Sequence, residues 1–311
     1  MKVAITGGSG YIGSCLIKKL EQQPWIKSVL SIDVKLSNVQ LGNKVNHITH
    51  DVTLPFDDLL TEFKPDVLIH LSFVLNPSHN KDQTHKINLS GLTNALQAVV
   101  KANVNYVIYF SSTTIYGAHS DNPEWLNEKS VIRPKDDFQY ALDKAESEAL
   151  IKDFNSNNKT IKTLILRGCP VMGPNVDNFI SRAFQKPVLI GIKNYNPPLQ
   201  FIHEDDVVEL MELCMQKKFT GTYNIAGNGT MKWSEMAELI QARMIKLPSF
   251  LLYFLTEFTW QSRLQSESNS AGLDFIKYRW TVSTQKIKAK LNYQFRYSTQ
   301  DVWRIFCEQR T

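Results

Sequence analysis

The chain has little of what marks an exported, metal-bound or nucleic-acid-binding protein. Its four cysteines, Cys15, Cys169, Cys214 and Cys307, lie far apart. None share the short spacing of a zinc or redox pair, so a cysteine framework is excluded and ordinary reduced thiols are expected. The net charge of +5 is spread in short pairs such as Lys18-Lys19 and Lys217-Lys218, which speaks against a nucleic-acid partner. There is no internal repeat and no low-complexity tract. No apolar run reaches the roughly 20 residues of a membrane span. The one that tempts such a reading, Leu247 to Trp260, is interrupted by Pro248 and Glu257. It reads as a buried helix of a smaller lobe, as a subunit contact, or as an apolar lid over a greasy substrate. The start Met1-Lys2-Val3 enters a core strand directly, which leaves no room for a secretory leader, and a cytoplasmic location is expected.

What is present is a strong alternation of apolar strands and helical stretches from Lys2 to Arg167, in a chain long enough to bury a full core. That pattern predicts an α/β fold, a parallel sheet with helices on both faces. Lys2 to Thr6 reads as the first strand. It runs into Gly7-Gly8-Ser9-Gly10-Tyr11-Ile12-Gly13 and then a helix from Ser14 to Leu20. Strand, glycine turn and helix in that order can bind a pyrophosphate, because glycines admit the ligand's close approach while the helix dipole favours an anion. About 20 residues past the turn, the strand Ser28 to Ile32 ends on Asp33, where a carboxylate can accept hydrogen bonds from an adenosine ribose. The acid favours NAD over NADP. Lys35 close by keeps NADP open.

A second constellation asks for redox chemistry. Tyr140 and Lys144 stand four residues apart in a stretch from Phe138 to Ile151 free of Pro and Gly, which predicts a helix with both side chains on one face. A tyrosine hydroxyl titrates near ~10, so exchanging protons with an alcohol at neutral pH requires a neighbouring cation and a hydrogen-bond donor. Lys144 and Ser112, the latter in Ser111-Ser112-Thr113-Thr114-Ile115-Tyr116-Gly117, are the candidates.

These motifs together resemble the extended short-chain dehydrogenase/reductases, specifically the NAD-dependent epimerase/dehydratase group, and the likeness covers most of the chain. The glycine turn is similar to the family's cofactor fingerprint, Asp51-Val52 to its adenine-contacting acid, and Asp66 to Ser72 to its fourth strand. Asn88 to Asn94 resembles the next helix, and Ser111 to Gly117 the fifth-strand motif. Gly173-Pro174, Phe201 to Val207 and Tyr223 to Gly227 are similar to three later landmarks. The resemblance implies a Rossmann-type doubly wound sheet in residues 1–167. Residues 168–311 would form mainly a substrate-binding lobe, with some segments returning to the first domain.

By the same resemblance Ser112, Tyr140 and Lys144 are the catalytic residues. NAD would rest on Gly7, Gly10, Tyr11, Ile12 and Gly13, with Asp33, Asp51 and Val52 at its adenosine end. Leu71, Asn88, Tyr140 and Lys144 would line the rest of its path. Lys144 is expected to hold the nicotinamide ribose and to lower the tyrosine pKa. Three departures bear on the substrate. Thr113 and Thr114 replace the Asp-Glu pair of the dehydratases, which argues against water loss. Leu199-Gln200-Phe201 stands where nucleotide-sugar epimerases tend to carry an arginine for the diphosphate, a role that Arg182 or Arg263 could assume. Pro170 replaces an asparagine.

A small-molecule substrate and an enzymatic activity follow: an epimerase of a sugar or nucleotide sugar, or a one-way reductase or dehydrogenase of an apolar, steroid-like or long-chain alcohol or ketone. A cofactor-binding regulatory protein without turnover is the third reading. By the family resemblance alone, pairing through 78–102 and 138–155 would give a homodimer. No metal site is expected, since His203 beside Glu204-Asp205-Asp206 lacks a second histidine at helical spacing and reads as a helix start. His47, His50, His79 and His85 read as surface or loop residues.

Overall fold

In this computed structural model, which describes residues 1–37, 41–184, 186 and 188–308, the apolar runs of the first half become the strands of one sheet. They are β1 (Lys2–Thr6), β2 (Ser28–Asp33), β3 (Val45–Thr49), β4 (Val67–His70), β5 (Tyr106–Ser112) and β6 (Lys162–Gly168). β1, β4 and β5 are buried almost throughout, as strands covered on both faces must be. Between them run helices α1 (Tyr11–Glu21), α2 (Asp57–Phe63), α3 (Lys81–Lys101) and α4 (Gln139–Asn157). Alternate residues of β1 serve the two faces. Val3 and Ile5 pack with Leu16, Ile17 and Leu20 of α1, and Ala4 packs with Leu60 of α2 and Ala95 and Val99 of α3.

Beyond β6 the chain makes short elements: β7 (Val171–Met172), α5 (Phe179–Phe184), β8 (Val188–Ile192), β9 (Pro198–Leu199), β10 (Ile202–His203) and α6 (Glu204–Lys217). Then come β11 (Gly221–Ile225), β12 (Met231–Lys232), α7 (Trp233–Leu239), β13 (Arg243–Leu247), α8 (Ser249–Gln261), α9 (Gln285–Leu291) and α10 (Thr299–Glu308). α6 packs on α1, and β11 joins the main sheet beside β6, so the full order is β11-β6-β5-β4-β1-β2-β3. Every neighbouring pair is parallel. The order reverses between β1 and β4, the switch point where a doubly wound Rossmann-type sheet opens a crevice for a dinucleotide.

The remaining strands form three two-stranded sheets, β7 with β10, β9 with β12 and β8 with β13. Phe184, Phe201, Trp303 and Phe306 interlock beneath them, with Trp303 fully buried. α8 is not the buried helix that the sequence suggested. It buries Leu252 and Trp260 but leaves Phe250, Phe254 and Phe258 exposed at 78%, 65% and 56%. Spacing of four residues puts those three rings on one face. Of the histidines read as surface or loop residues, His47 lies part-buried in β3 and His85 part-exposed on α3. Among the described residues no helix is long and apolar enough to cross a membrane.

Candidate active site

The turn after β1 is held by backbone geometry. Gly7 has φ of +76°, a conformation L side chains resist, and a Cβ there would sit 2.6 Å from the Ser72 nitrogen just past β4. A Cβ on Gly13 would stand 2.2 Å from the Gly7 carbonyl oxygen, so α1 can start this close to the turn only without a side chain. Gly10 differs: a Cβ there would meet only the Gly7 oxygen, at 3.2 Å. α1 has no side-chain cap and no acidic residue in its first turn, which leaves the positive end of its dipole to an external anion. The turn therefore fits a dinucleotide pyrophosphate.

Asp33 closes the other side. Its Oδ2 accepts from Ser9 N at 3.0 Å and its Oδ1 from Lys35 N at 3.0 Å, and each carboxylate oxygen retains a lone pair for a ribose hydroxyl. Asp51 accepts from Thr53 N at 2.9 Å and is exposed. Val52 is buried against Gly91 of α3, where a Cβ would meet its Cγ2 at 2.9 Å. Its carbonyl accepts from Asn94 Nδ2 at 2.9 Å. Leu71, whose nitrogen donates to Thr6 O at 3.0 Å, is half-buried beside the turn. Tyr11 donates its hydroxyl to Glu204 at the start of α6, and burial with that carboxylate holds the phenol well above its usual range.

Ser112, Tyr140 and Lys144 meet at the carboxyl end of β5. Ser112 caps a short 3-10 turn over Thr113–Tyr116, its Oγ accepting from Thr114 N at 3.2 Å and Thr114 Oγ1 at 2.9 Å. Lys144, 4% exposed, donates to Phe110 O at 2.7 Å and stands 3.6 Å above the Phe73 ring. Burial lowers its pKa to about 7, opposed by the carboxylates of Glu148 and Asp143. Tyr140 moves the other way from expectation. Burial pushes it up to about 12, against the pull of its Ser112 hydrogen bond. The expected lowering by Lys144 is absent from this arrangement because the ammonium is turned onto Phe110 O, 5.9 Å from the Tyr140 ring centre.

Two further acids on α4, Asp143 and Glu148, stand close to Lys144 and favour its charged form. Asp143, fully buried, accepts from His85 Nδ1 at 2.7 Å, Asn88 Nδ2 at 2.8 Å and Gln139 Nε2 at 2.6 Å. Asn88 in turn accepts from Val74 N at 2.8 Å, which ties the loop after β4 to α4. The carboxylate raises the His85 pKa. Glu148 holds Ser111 Oγ at 2.6 Å and a bidentate Arg167 at 2.5–3.1 Å, and Arg167 reaches Tyr116 OH at 2.7 Å. Tyr116 OH donates to Asn224 Oδ1 of β11 at 2.7 Å. The signal for Glu148 was available, since it lies four residues after Lys144 on the same helix face.

Two hollows open beside the triad. A narrow groove of about 40 Å³ is lined by Tyr140, Phe138, Val74 and Trp260. Phe138, Ser268 and Asn269 also border a much larger cavity of about 470 Å³, whose wall includes Thr114, Pro170, Leu199 and Phe201. Leu252, Thr256 and Thr259 of α8 line it, and Trp260 from the same helix lines the groove. Neither proposed substitute for a diphosphate arginine reaches this cavity wall. Arg182 pairs with Asp177 at 3.0 Å, and Arg263 is exposed past the end of α8. His203 caps α6 by accepting from Asp205 N. Among the described residues no group of three or more His, Cys, Asp or Glu could hold a metal ion.

A family model described as the NAD dependent epimerase/dehydratase family matches residues 3–226. The protein CapI of Staphylococcus aureus is 26% identical over 285 residues, covering 79% of this chain and 84% of the relative. UDP-glucuronic acid decarboxylase 6 of Arabidopsis thaliana is 27% identical over 263 residues, covering 78% and 74%. The fold is shared with UDP-glucuronic acid 4-epimerase from Bacillus cereus, crystallised with NAD, at a TM-score of 0.77 and 19% identity over 100% of this chain and 98% of that one.

Proposed function

Because the chain belongs to the NAD dependent epimerase/dehydratase family, enzymes of the extended short-chain dehydrogenase/reductase type, we propose that it exchanges a hydride with NAD at a secondary alcohol or ketone, with Tyr140 as acid and base. The observation that carries this is the convergence of Ser112, Tyr140 and Lys144 at the carboxyl end of β5, beside the switch point and the glycine turn. Gly7 to Gly13 would hold the pyrophosphate, and Asp33 and Asp51 the adenosine end. NAD supplies the hydride acceptor. Tyr140, as phenolate, takes the proton of the substrate hydroxyl as the carbinol C–H pair leaves as hydride, so alcohol and NAD⁺ become ketone, NADH and tyrosine. Ser112 donates to the forming carbonyl oxygen. Lys144, when protonated, would stabilise the phenolate and could donate to the nicotinamide ribose.

The test is NADH formation from androsterone and cyclododecanol, and epimer formation from UDP-glucose and UDP-glucuronate, by the wild type and by Tyr140→Phe. Tyr140→Phe should keep NAD binding and lose turnover by roughly 10²–10⁴-fold. Full turnover in the variant would remove the tyrosine from the chemistry. The UDP-sugar names among the relatives support a nucleotide-sugar substrate and an epimerase that returns the hydride. The cavity beside Thr114 supports the other substrate class.

A further inference from the structure

Resting on the hydride-transfer reading, we infer that the substrate is an alcohol or ketone with an apolar, unphosphorylated body, seated in the cavity between the Ser112 turn and α8. The wall is built from Phe138, Phe201, Trp233, Leu252, Phe275 and Trp280 with further aliphatic side chains. What matters is the state of its polar groups. Gln200, standing in the segment where an arginine would grip a diphosphate, is committed at both ends of its amide. Its Nε2 donates to Val282 O at 3.2 Å and its Oε1 accepts from Val282 N at 2.7 Å.

Gln265 is committed likewise, donating to Ser268 O at 2.5 Å and accepting from Glu267 N at 2.7 Å. Asn269 donates to Asp137 O, Trp233 to Ile190 O and Trp280 to Phe275 O. The one cation on the wall among the described residues, Lys186, is ion-paired with Glu267 on the same wall. A diphosphate entering here would bring about two negative charges to a wall whose side-chain amides and indole N–H groups are engaged and whose cation is paired with a carboxylate. Burying such charge without partners is prohibitive. Ring faces and methyl groups would meet an apolar body without rearrangement.

The cavity also ends at the right chemistry. Thr114 forms part of its wall and donates to the Ser112 Oγ at 2.9 Å, while Phe138, 6.2 Å from the Tyr140 ring centre to centre, separates it from the Tyr140 groove. A molecule filling about 470 Å³ is of ordinary small-ligand size, and its one oxygen function, placed at Thr114, would reach Ser112 and Tyr140 only past Thr114 and Phe138.

Thermal-shift titration of the NAD-saturated protein with androsterone, cyclododecanol and UDP-glucose tests this, because a ligand of the native state raises its stability. At least one apolar alcohol should raise the midpoint, and UDP-glucose should not. Thr256→Trp, which fills the cavity from the half-buried side of α8, should weaken that alcohol at least tenfold and leave the NAD-induced shift unchanged. A shift with UDP-glucose alone, or no shift with any of the three, overturns the inference. An apolar alcohol that binds and is displaced in Thr256→Trp, yet yields no NADH, confirms the pocket and overturns the hydride-transfer reading instead.

Discussion

The crevice at the switch point and the cavity under α8 lie side by side and are made by different means. The crevice is a backbone construction. Gly7 and Gly13 matter because they lack a side chain, and the anion site is the open end of α1. The cavity is a side-chain construction, its wall gathered from Thr114 to Trp280 mostly as rings, aliphatic groups and already bonded amides, with one ion pair between Lys186 and Glu267. A site for a constant ligand can be encoded in a short run of residues. A site for a particular substrate is assembled from distant ones.

That contrast can be broken most severely at the seam. Glu148→Gln leaves Arg167 buried without its carboxylate, and should cost about 3–5 kcal/mol in urea unfolding, since Arg167, Tyr116 and Asn224 link β6, the Ser112 turn and β11. A loss near that of a surface pair would show that the two regions are held together elsewhere. Gly10→Val sharpens the comparison from the crevice side. The added side chain meets little protein, so the midpoint should hold while NAD affinity, by calorimetry, falls about a hundredfold, about 2.7 kcal/mol. Unchanged NAD affinity would mean that the turn does not carry the pyrophosphate.

A smaller effect is expected at Lys144. Burial holds it at about 7, against ~10.4 in an unfolded chain. Between those values the unfolded chain binds more protons, so stability rises with pH across the window and is lowest at and below about 7. Lys144→Met should flatten that rise and, near neutral pH, gain about 1–2 kcal/mol while losing turnover. Parallel pH profiles for the two proteins would show that the lysine is not strained in the folded state.

The same contrast explains what was legible in the sequence. The glycine turn, Asp33 and the Tyr140–Lys144 pair are local patterns whose spacing states their geometry, and the parallel sheet follows from the strand and helix alternation. The hub at Asp143 was not legible, because its partners His85 and Asn88 come from another helix 58 and 55 positions away. Nor was the fate of Gln200, whose amide is taken by Val282, 82 positions along the chain. α8 was recognisable as an apolar segment, but which of its rings face outward depends on the 270–276 turn and on His79, against which it packs.

The central claim is that Tyr140 is the proton-exchanging group of an NAD-dependent site, and its ionisation can be measured without knowing the substrate. The tyrosinate absorbance of the NAD-saturated wild type, less that of NAD-saturated Tyr140→Phe, is followed as pH is raised. With a cationic nicotinamide and Lys144 beside it, the missing tyrosine should titrate well below the value of about 12 that burial imposes in the cofactor-free protein. A difference spectrum that develops only near 12 with NAD bound would contradict the account.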